Sequence, residues 1–406
     1  MTAPNTKKSF SSIILEKEKR SEVKLLLYCV RSYIDTMTAE KIENLSNENI
    51  DWELFLRLAS HNGTIALCYH ALNDTCPNAV PPAIFEQLRH RYQQYTLNNI
   101  FFTKELLKLL KLFEENNIPA FPYKGPVLAS SVYRDLSLRY FCDLDILIRP
   151  EDFIQVKNLL IAKGYETVAV KDIQEADNLR SDSVREFIRK DGKVVIDLHW
   201  YITPKFFPFL VSFESLWKRR QQESILGQSV WTLSPEDLLL ILCVHGSKEC
   251  WHKLKWIVDI AQTISAYPNL NWKQVLTQAN LFHSKRMLFM GLFLANSLLR
   301  AKIPLSVLSQ AQQEPIIYFL SREVYQQLFE QSTKKLFLFT FWKPSWFRLQ
   351  VRERLQDKFQ YLSRRIITPN FRDRRVIILP KTFSFLYYLI RLLRLVGEKI
   401  RVISRE

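Results

Sequence analysis

Residues 123–153 read YKGPVLASSVYRDLSLRYFCDLDILIRPEDF. Tyr123 ends an apolar run that starts at Ile118, Gly125 permits a tight turn, and Pro126 suits the first turn of a helix reaching Arg134. Leu144 to Ile148 is a compact apolar strand stopped by Pro150. Pro150, Glu151 and Asp152 are a favourable helix start, and Gly164 stands where the helix through Lys163 needs a C-terminal glycine. Downstream, Val184–Arg189 and Lys193–Trp200 flank Asp191–Gly192, the pair a tight hairpin prefers. Strand, helix, strand, helix and hairpin make a small α/β unit.

On either side the period changes. From about residue 12 to residue 118 apolar residues recur at helical spacing, as in Phe55, Leu56, Leu58 and Ala59 or Leu106, Leu107, Leu109, Leu110 and Phe113. Pro77, Pro81 and Pro82 divide that region, and Asn116–Asn117 before Pro119 closes it. From Ser234–Pro235–Glu236–Asp237 the chain reads as helix again, with a capping serine and two acids at its start. The expected fold is therefore α+β: a small mixed sheet with flanking helices, embedded between mainly helical N- and C-terminal regions. The expected units are a helical region 1–95, an α/β domain 96–230, a helical domain 231–330 and a basic aromatic region 331–406.

The chemistry concentrates in the α/β unit. Asp143 and Asp145 flank Leu144, and strand alternation turns residues two apart to the same face. Like charges so close need a cation or a proton, and Mg²⁺ takes one or two carboxylates together with substrate phosphates. Asp197 lies inside the apolar run VVIDLHW, where a carboxylate is costly unless paired or bound to metal. If the hairpin strand lies beside the Asp143/Asp145 strand, three carboxylates converge in the outline of a two-metal phosphoryl-transfer site. Lys124 and Gly125 sit at a strand-to-helix turn suited to phosphate, and Arg139 stands on the same approach. His199 shares the strand face of Asp197, either as a second contact to substrate or as a buried histidine with its own partner.

Composition narrows the setting. With 406 residues, 47% apolar and 24% charged, the chain is globular, and only eight glycines argue against a Gly-rich dinucleotide fold. Six cysteines without a CxxC pair, and no leader of the secretory type, point to a reducing cytoplasm. No apolar run reaches the length of a membrane span. Cys243, His245, Cys250 and His252 invite a zinc reading, but residues two apart on a helix lie about 200° around it. The net charge of +16 is uneven: residues 331–406 hold 18 Lys/Arg against 5 Asp/Glu, the first 330 only 39 against 36. Such a tail suits a polyanion or an anionic membrane, peripherally through an amphipathic helix within 381–406. The plainer alternative is a docked final helix with Arg391 and Arg394 on its wet face. Interleaved aromatic and basic residues also permit nucleic acid, although no recognition motif appears.

The segment 123–153, followed by VVIDLHW, resembles the uncharacterised bacterial nucleotidyltransferase family of the polymerase-beta-like superfamily. DWELFLRLASHNGTIALCYHAL, NNIFFTKELLKLLKLFEENNIP and CVHGSKECWHKLKWIVDIAQ fall in that family's order. The resemblance implies a nucleotidyltransferase-type sheet, with Asp143, Asp145 and Asp197 as Mg²⁺ ligands and Lys124, Gly125 and Arg139 toward the nucleotide. It places His245, Trp251, Trp256 and Asp259 in a helical domain facing the active site. The implied reaction moves a nucleoside monophosphate from an NTP, ATP foremost, to an unidentified hydroxyl acceptor. The superfamily's usual turn is Gly-Ser or Gly-Gly, whereas Lys124 here precedes a single glycine and Pro126 removes one N–H. The alternative is a non-catalytic adaptor that keeps the fold and binds an anionic membrane or partner through its basic tail.

Overall fold

The computed structural model describes residues 18–167, 183–204, 207–329, 343–367, 377, 379, 383 and 385–403. The chain opens with helices α1 (Ser21–Cys29), α2 (Thr36–Ser46), α3 (Trp52–His61) and α4 (Ile65–Thr75). Asp35 and Asp51 cap α2 and α3 by accepting from Thr38 N and Leu54 N, each at 2.8 Å. Helix α5 (Pro82–Glu115) starts on a proline, which needs no N–H partner there, and runs 34 residues, about 51 Å. Its first half buries Ile84 and Leu88 among the N-terminal helices, and its second half buries Phe102, Leu106, Leu109 and Phe113 beneath the sheet. The expected boundary at residue 95 therefore falls inside one continuous helix, because nothing between Pro82 and Glu115 breaks it.

The sheet carries β1 (Ala120–Pro122), β2 (Leu144–Ile148), β3 (Tyr165–Thr167), β4 (Val184–Arg189) and β5 (Val195–His199), with α6 (Gly125–Ser131) and α7 (Phe153–Ala162) between its strands. Its order is β1-β2-β5-β4-β3, with β2 and β5 parallel and the other neighbours antiparallel. Leu144, Ile146, Ile148, Ile196 and Leu198 join the core under α5 and α7. Alternation turns Asp145, Leu147, Asp197 and His199 the other way, toward the helices that follow. One face of the sheet thus makes the core and the other makes the site.

After α8 (Phe213–Lys218) comes a second sheet, the hairpin of β6 (Gln221–Ile225) and β7 (Gln228–Thr232), turning through Leu226 and Gly227 at positive φ. It was not foreseen, since a Leu-Gly turn between half-exposed strands is a weak signal, and β7 runs past the boundary expected at residue 230. Helices α9 (Pro235–Lys248), α10 (Leu254–Ala266), α11 (Trp272–Leu281), α12 (Lys285–Leu299), α13 (Leu305–Gln312) and α14 (Pro315–Phe329) make the second helical layer. Ser234 caps α9 through Asp237 N at 3.2 Å, as the sequence suggested. Trp251 is buried in this layer so tightly that a Cβ at Gly246 would stand 2.3 Å from its ring. Among the described residues, three further helices follow: α15 (Lys343–Gln350), α16 (Leu355–Ile367) and α17 (Leu386–Ile403). In α17 Arg391 is buried, so the expected placement of that arginine on a wet face does not hold.

Candidate active site

Parallel pairing of β2 with β5 sets Asp145 opposite Asp197 and Leu147 opposite His199. Carboxylate and imidazole atoms of Asp145, Asp197 and His199 lie within 4.8 Å of one another, a spacing one metal ion can bridge. Among the described residues no other group of three His, Cys, Asp or Glu side chains comes so close. Cys243, His245, Cys250 and His252 form no such group, and no cysteine is in a disulfide. His199 Nε2 is 3.1 Å from Asp145 Oδ1, and Lys124 Nζ is 3.0 Å from the same oxygen. Tyr123 meets the His199 ring edge to face at 5.4 Å. Gly125 turns at φ +54°, a conformation that suits glycine, with its Cβ position 3.4 Å from the carbonyl of Asp143.

The three acids sit in different electrical surroundings. Burial works against the Asp145 carboxylate, but Lys124 and His199 outweigh it and hold its pKa well below the usual range. For Asp197 the balance reverses: burial, then the charges of Asp145 and Asp143, outweigh Lys124 and push it up to about 6. Burial and Asp145 also raise Asp143, which precedes β2 and lies outside the 4.8 Å group. Neither Asp143 nor Asp197 has a hydrogen-bond partner for its carboxylate among the described residues. Burial lowers the pKa of His199 despite its bond to Asp145, so the imidazole is neutral at physiological pH.

Asp197→Asn is accordingly expected to stabilise the metal-free protein at pH 7. A carboxyl at about 6 when folded, against 3.8 ordinarily, favours the fold when protonated. That contribution is complete below pH 3.8 and is lost as pH rises through about 6. Solvent screening at this half-buried site leaves about 1–2 kcal/mol to be gained by the amide. Urea unfolding in a chelator should show the variant more stable at neutral pH and the gap shrinking near pH 4.5; equal stabilities at neutral pH would contradict the arrangement.

Arg139 is held elsewhere. Its guanidinium grips Asp259 of α10 with two hydrogen bonds, 2.8 and 3.0 Å, and the Tyr133 hydroxyl donates to the same carboxylate at 2.7 Å. All three are buried. Asn98 and Asn99 of α5 donate to the carbonyls of Phe141 (2.9 Å), Leu136 (2.6 Å) and Arg139 (2.9 Å). The segment running into Asp143 is thus fastened from two sides, and the Arg139 guanidinium, expected toward the nucleotide, is paired with Asp259.

The opposite wall comes from the turn between α9 and α10. Cys250 and Trp251 both take positive φ, 55° and 54°, a costly geometry for side-chain-bearing residues. Asn62, just after α3, then accepts from Leu254 N (2.9 Å) and Lys255 N (3.2 Å), capping α10 across the chain. This turn brings Lys255 into electrostatic reach of Asp143. A cleft beside Lys124 is lined by Tyr123, Thr203, His245 and Lys248. Burial, then Lys124 and Lys248, hold His245 well below its usual pKa. Lys255 was not singled out from sequence, and Asp259 was expected only as a residue of the helical domain facing the site, not as the partner of Arg139. His199, expected from the strand face it shares with Asp197, is the buried histidine with a partner of its own, Asp145.

A small mixed sheet with acids paired on its second and fifth strands, walled by helices that bring Lys248 and Lys255 toward it, is a nucleotidyltransferase-type fold. The family profile of uncharacterised nucleotidyltransferases matches residues 48–300, and the chain belongs to that family. A solved structure, described as an antigenic nucleotidyltransferase-like protein from Paracoccidioides brasiliensis, is 18% identical, with a TM-score of 0.30. The match covers 51% of this chain and 96% of that one. No curated protein matches the chain.

Proposed function

We propose that the chain transfers a nucleoside monophosphate from a nucleoside triphosphate, ATP foremost, to a hydroxyl-bearing acceptor, with Mg²⁺ held by Asp143, Asp145 and Asp197. The observation that carries this reading is the register that sets Asp145 beside Asp197 on parallel strands. Asp145 and Asp197 share that corner with Asp143 just before the strand, Lys124 is ion-paired to Asp145, and Asp143 and Asp197 have no carboxylate hydrogen bond among the described residues. Such a donor set fits a divalent cation: carboxylate oxygens suit Mg²⁺, and His199 at its edge makes Mn²⁺ an equally suitable probe. A bound divalent ion would acidify the acceptor hydroxyl and offset charge on the departing pyrophosphate.

The chain's own residues supply the rest. Lys124 and Gly125 meet the phosphates at the strand-to-helix turn, and Lys255 and Lys248 line the facing wall as counter-charges. Asp197, on the strand beside Asp145, is the proposed group to receive the hydroxyl proton as that oxygen attacks the α-phosphorus. Arg139 and Asp259 hold the approach to Asp143 still. Incubation of the purified chain with each α-labelled NTP, Mg²⁺ and a cell extract tests the reading. Label entering an acceptor, and lost in Asp143→Ala/Asp145→Ala, is the expected result. No transfer with any NTP would leave the adaptor alternative.

A further inference from the structure

Helix α17 is amphipathic, and its apolar side faces out. Phe385, immediately before it, and Leu389 and Leu393 one and two turns on are 64%, 54% and 63% exposed. Arg391, on the opposite side, is only 6% exposed. Helix α16 packs beside α17 and repeats the pattern, with Leu355, Phe359 and Leu362 in an exposed row. The orientation is held by Tyr387, buried on the inner side of α17, whose hydroxyl accepts from Leu379 N at 2.9 Å and donates to the Ile377 carbonyl at 3.2 Å. Two adjacent helices thus offer apolar rows to water, an arrangement that calls for an occupant.

From this juxtaposition of outward apolar rows with a strongly cationic region, we propose that α16 and α17 form a docking face for an anionic membrane surface. Charge selects the occupant. Residues 331–406, which include both helices, carry 18 Lys/Arg against 5 Asp/Glu, so a second copy would bring a region of the same positive excess against this one and be repelled. Anionic headgroups offset that excess while the acyl boundary takes up Phe385, Leu389 and Leu393. Tyr388 of α17, half exposed, is a residue type that favours the headgroup level. The contact is peripheral, since no helix among the described residues is long and apolar enough to cross a bilayer.

Flotation of the full chain tests this with vesicles of phosphatidylcholine containing phosphatidylglycerol, against vesicles of phosphatidylcholine alone. The chain is expected to float with the anionic vesicles only and to be released by raised salt. Leu389→Asp/Leu393→Asp, and the milder Leu389→Ala/Leu393→Ala, should each reduce the floated fraction, the first by about tenfold. Both positions are exposed, and circular dichroism checks that the fold is kept. A wild-type chain that stays unbound to anionic vesicles, or floats equally with neutral ones, overturns the proposal. So does light scattering that finds a dimer broken by these substitutions without any flotation.

Discussion

Asp259→Ala should cost about 3–5 kcal/mol of folding stability. The carboxylate accepts two hydrogen bonds from Arg139 and a third from Tyr133, all in the interior. Removing it strands a buried guanidinium, and the penalty is that of an unpaired interior charge rather than of a surface ion pair. The consequence is not confined to stability. Arg139 lies four residues before Asp143, so a loosened guanidinium frees the segment that presents the acids. Urea unfolding should show a lower midpoint at an unchanged slope. The paired replacement Arg139→Met/Asp259→Leu should recover much of the loss, because no buried charge is then left alone. A single variant within about 1 kcal/mol of wild type would contradict the clamp.

Asp145→Asn should lower nucleotide transfer by about 10³-fold or more, equivalent to about 4 kcal/mol of transition-state stabilisation. The amide nearly matches the carboxylate in shape and can still accept from Lys124, so the fold is expected to survive. What disappears is the charge that Lys124 and His199 hold ionised and that any cation at this corner must use. Asp197→Asn should be similarly inactive while gaining stability, which separates a loss of chemistry from a loss of fold. Single-turnover measurements with saturating NTP would locate the defect in the transfer step. A variant that keeps more than a tenth of wild-type transfer would remove Asp145 from the machinery.

Much of this site was legible because strands have a period of two. Asp145 and Asp197 could be assigned to strand faces from spacing alone, whereas Asp143, expected on the same face, lies just before the strand; the Asp191–Gly192 turn announced the hairpin that carries Asp197. Register was not legible: that Asp145 stands opposite Asp197 depends on which strands neighbour each other, a property of the folded sheet. The role of Arg139 was hidden for a related reason, since its partner Asp259 is 120 residues away and sits in what reads as an apolar helix stripe. Lys255 reaches the site only through a strained turn at Cys250 and Trp251 and a cap lent by Asn62, none of which has a sequence signature. The long helix α5 misled the domain boundary because a continuous helical period does not reveal that its two halves serve different cores.

Mn²⁺ binding followed by electron paramagnetic resonance, in the full chain with and without a non-hydrolysable ATP analogue, asks whether the paired strand carboxylates are a cation site. Free-ion signal should be depleted on adding wild-type protein, more strongly with the analogue present, and return to the level of buffer in Asp145→Asn and Asp197→Asn. Undiminished free Mn²⁺ with the wild-type chain and analogue, or equal depletion by both variants, would contradict it.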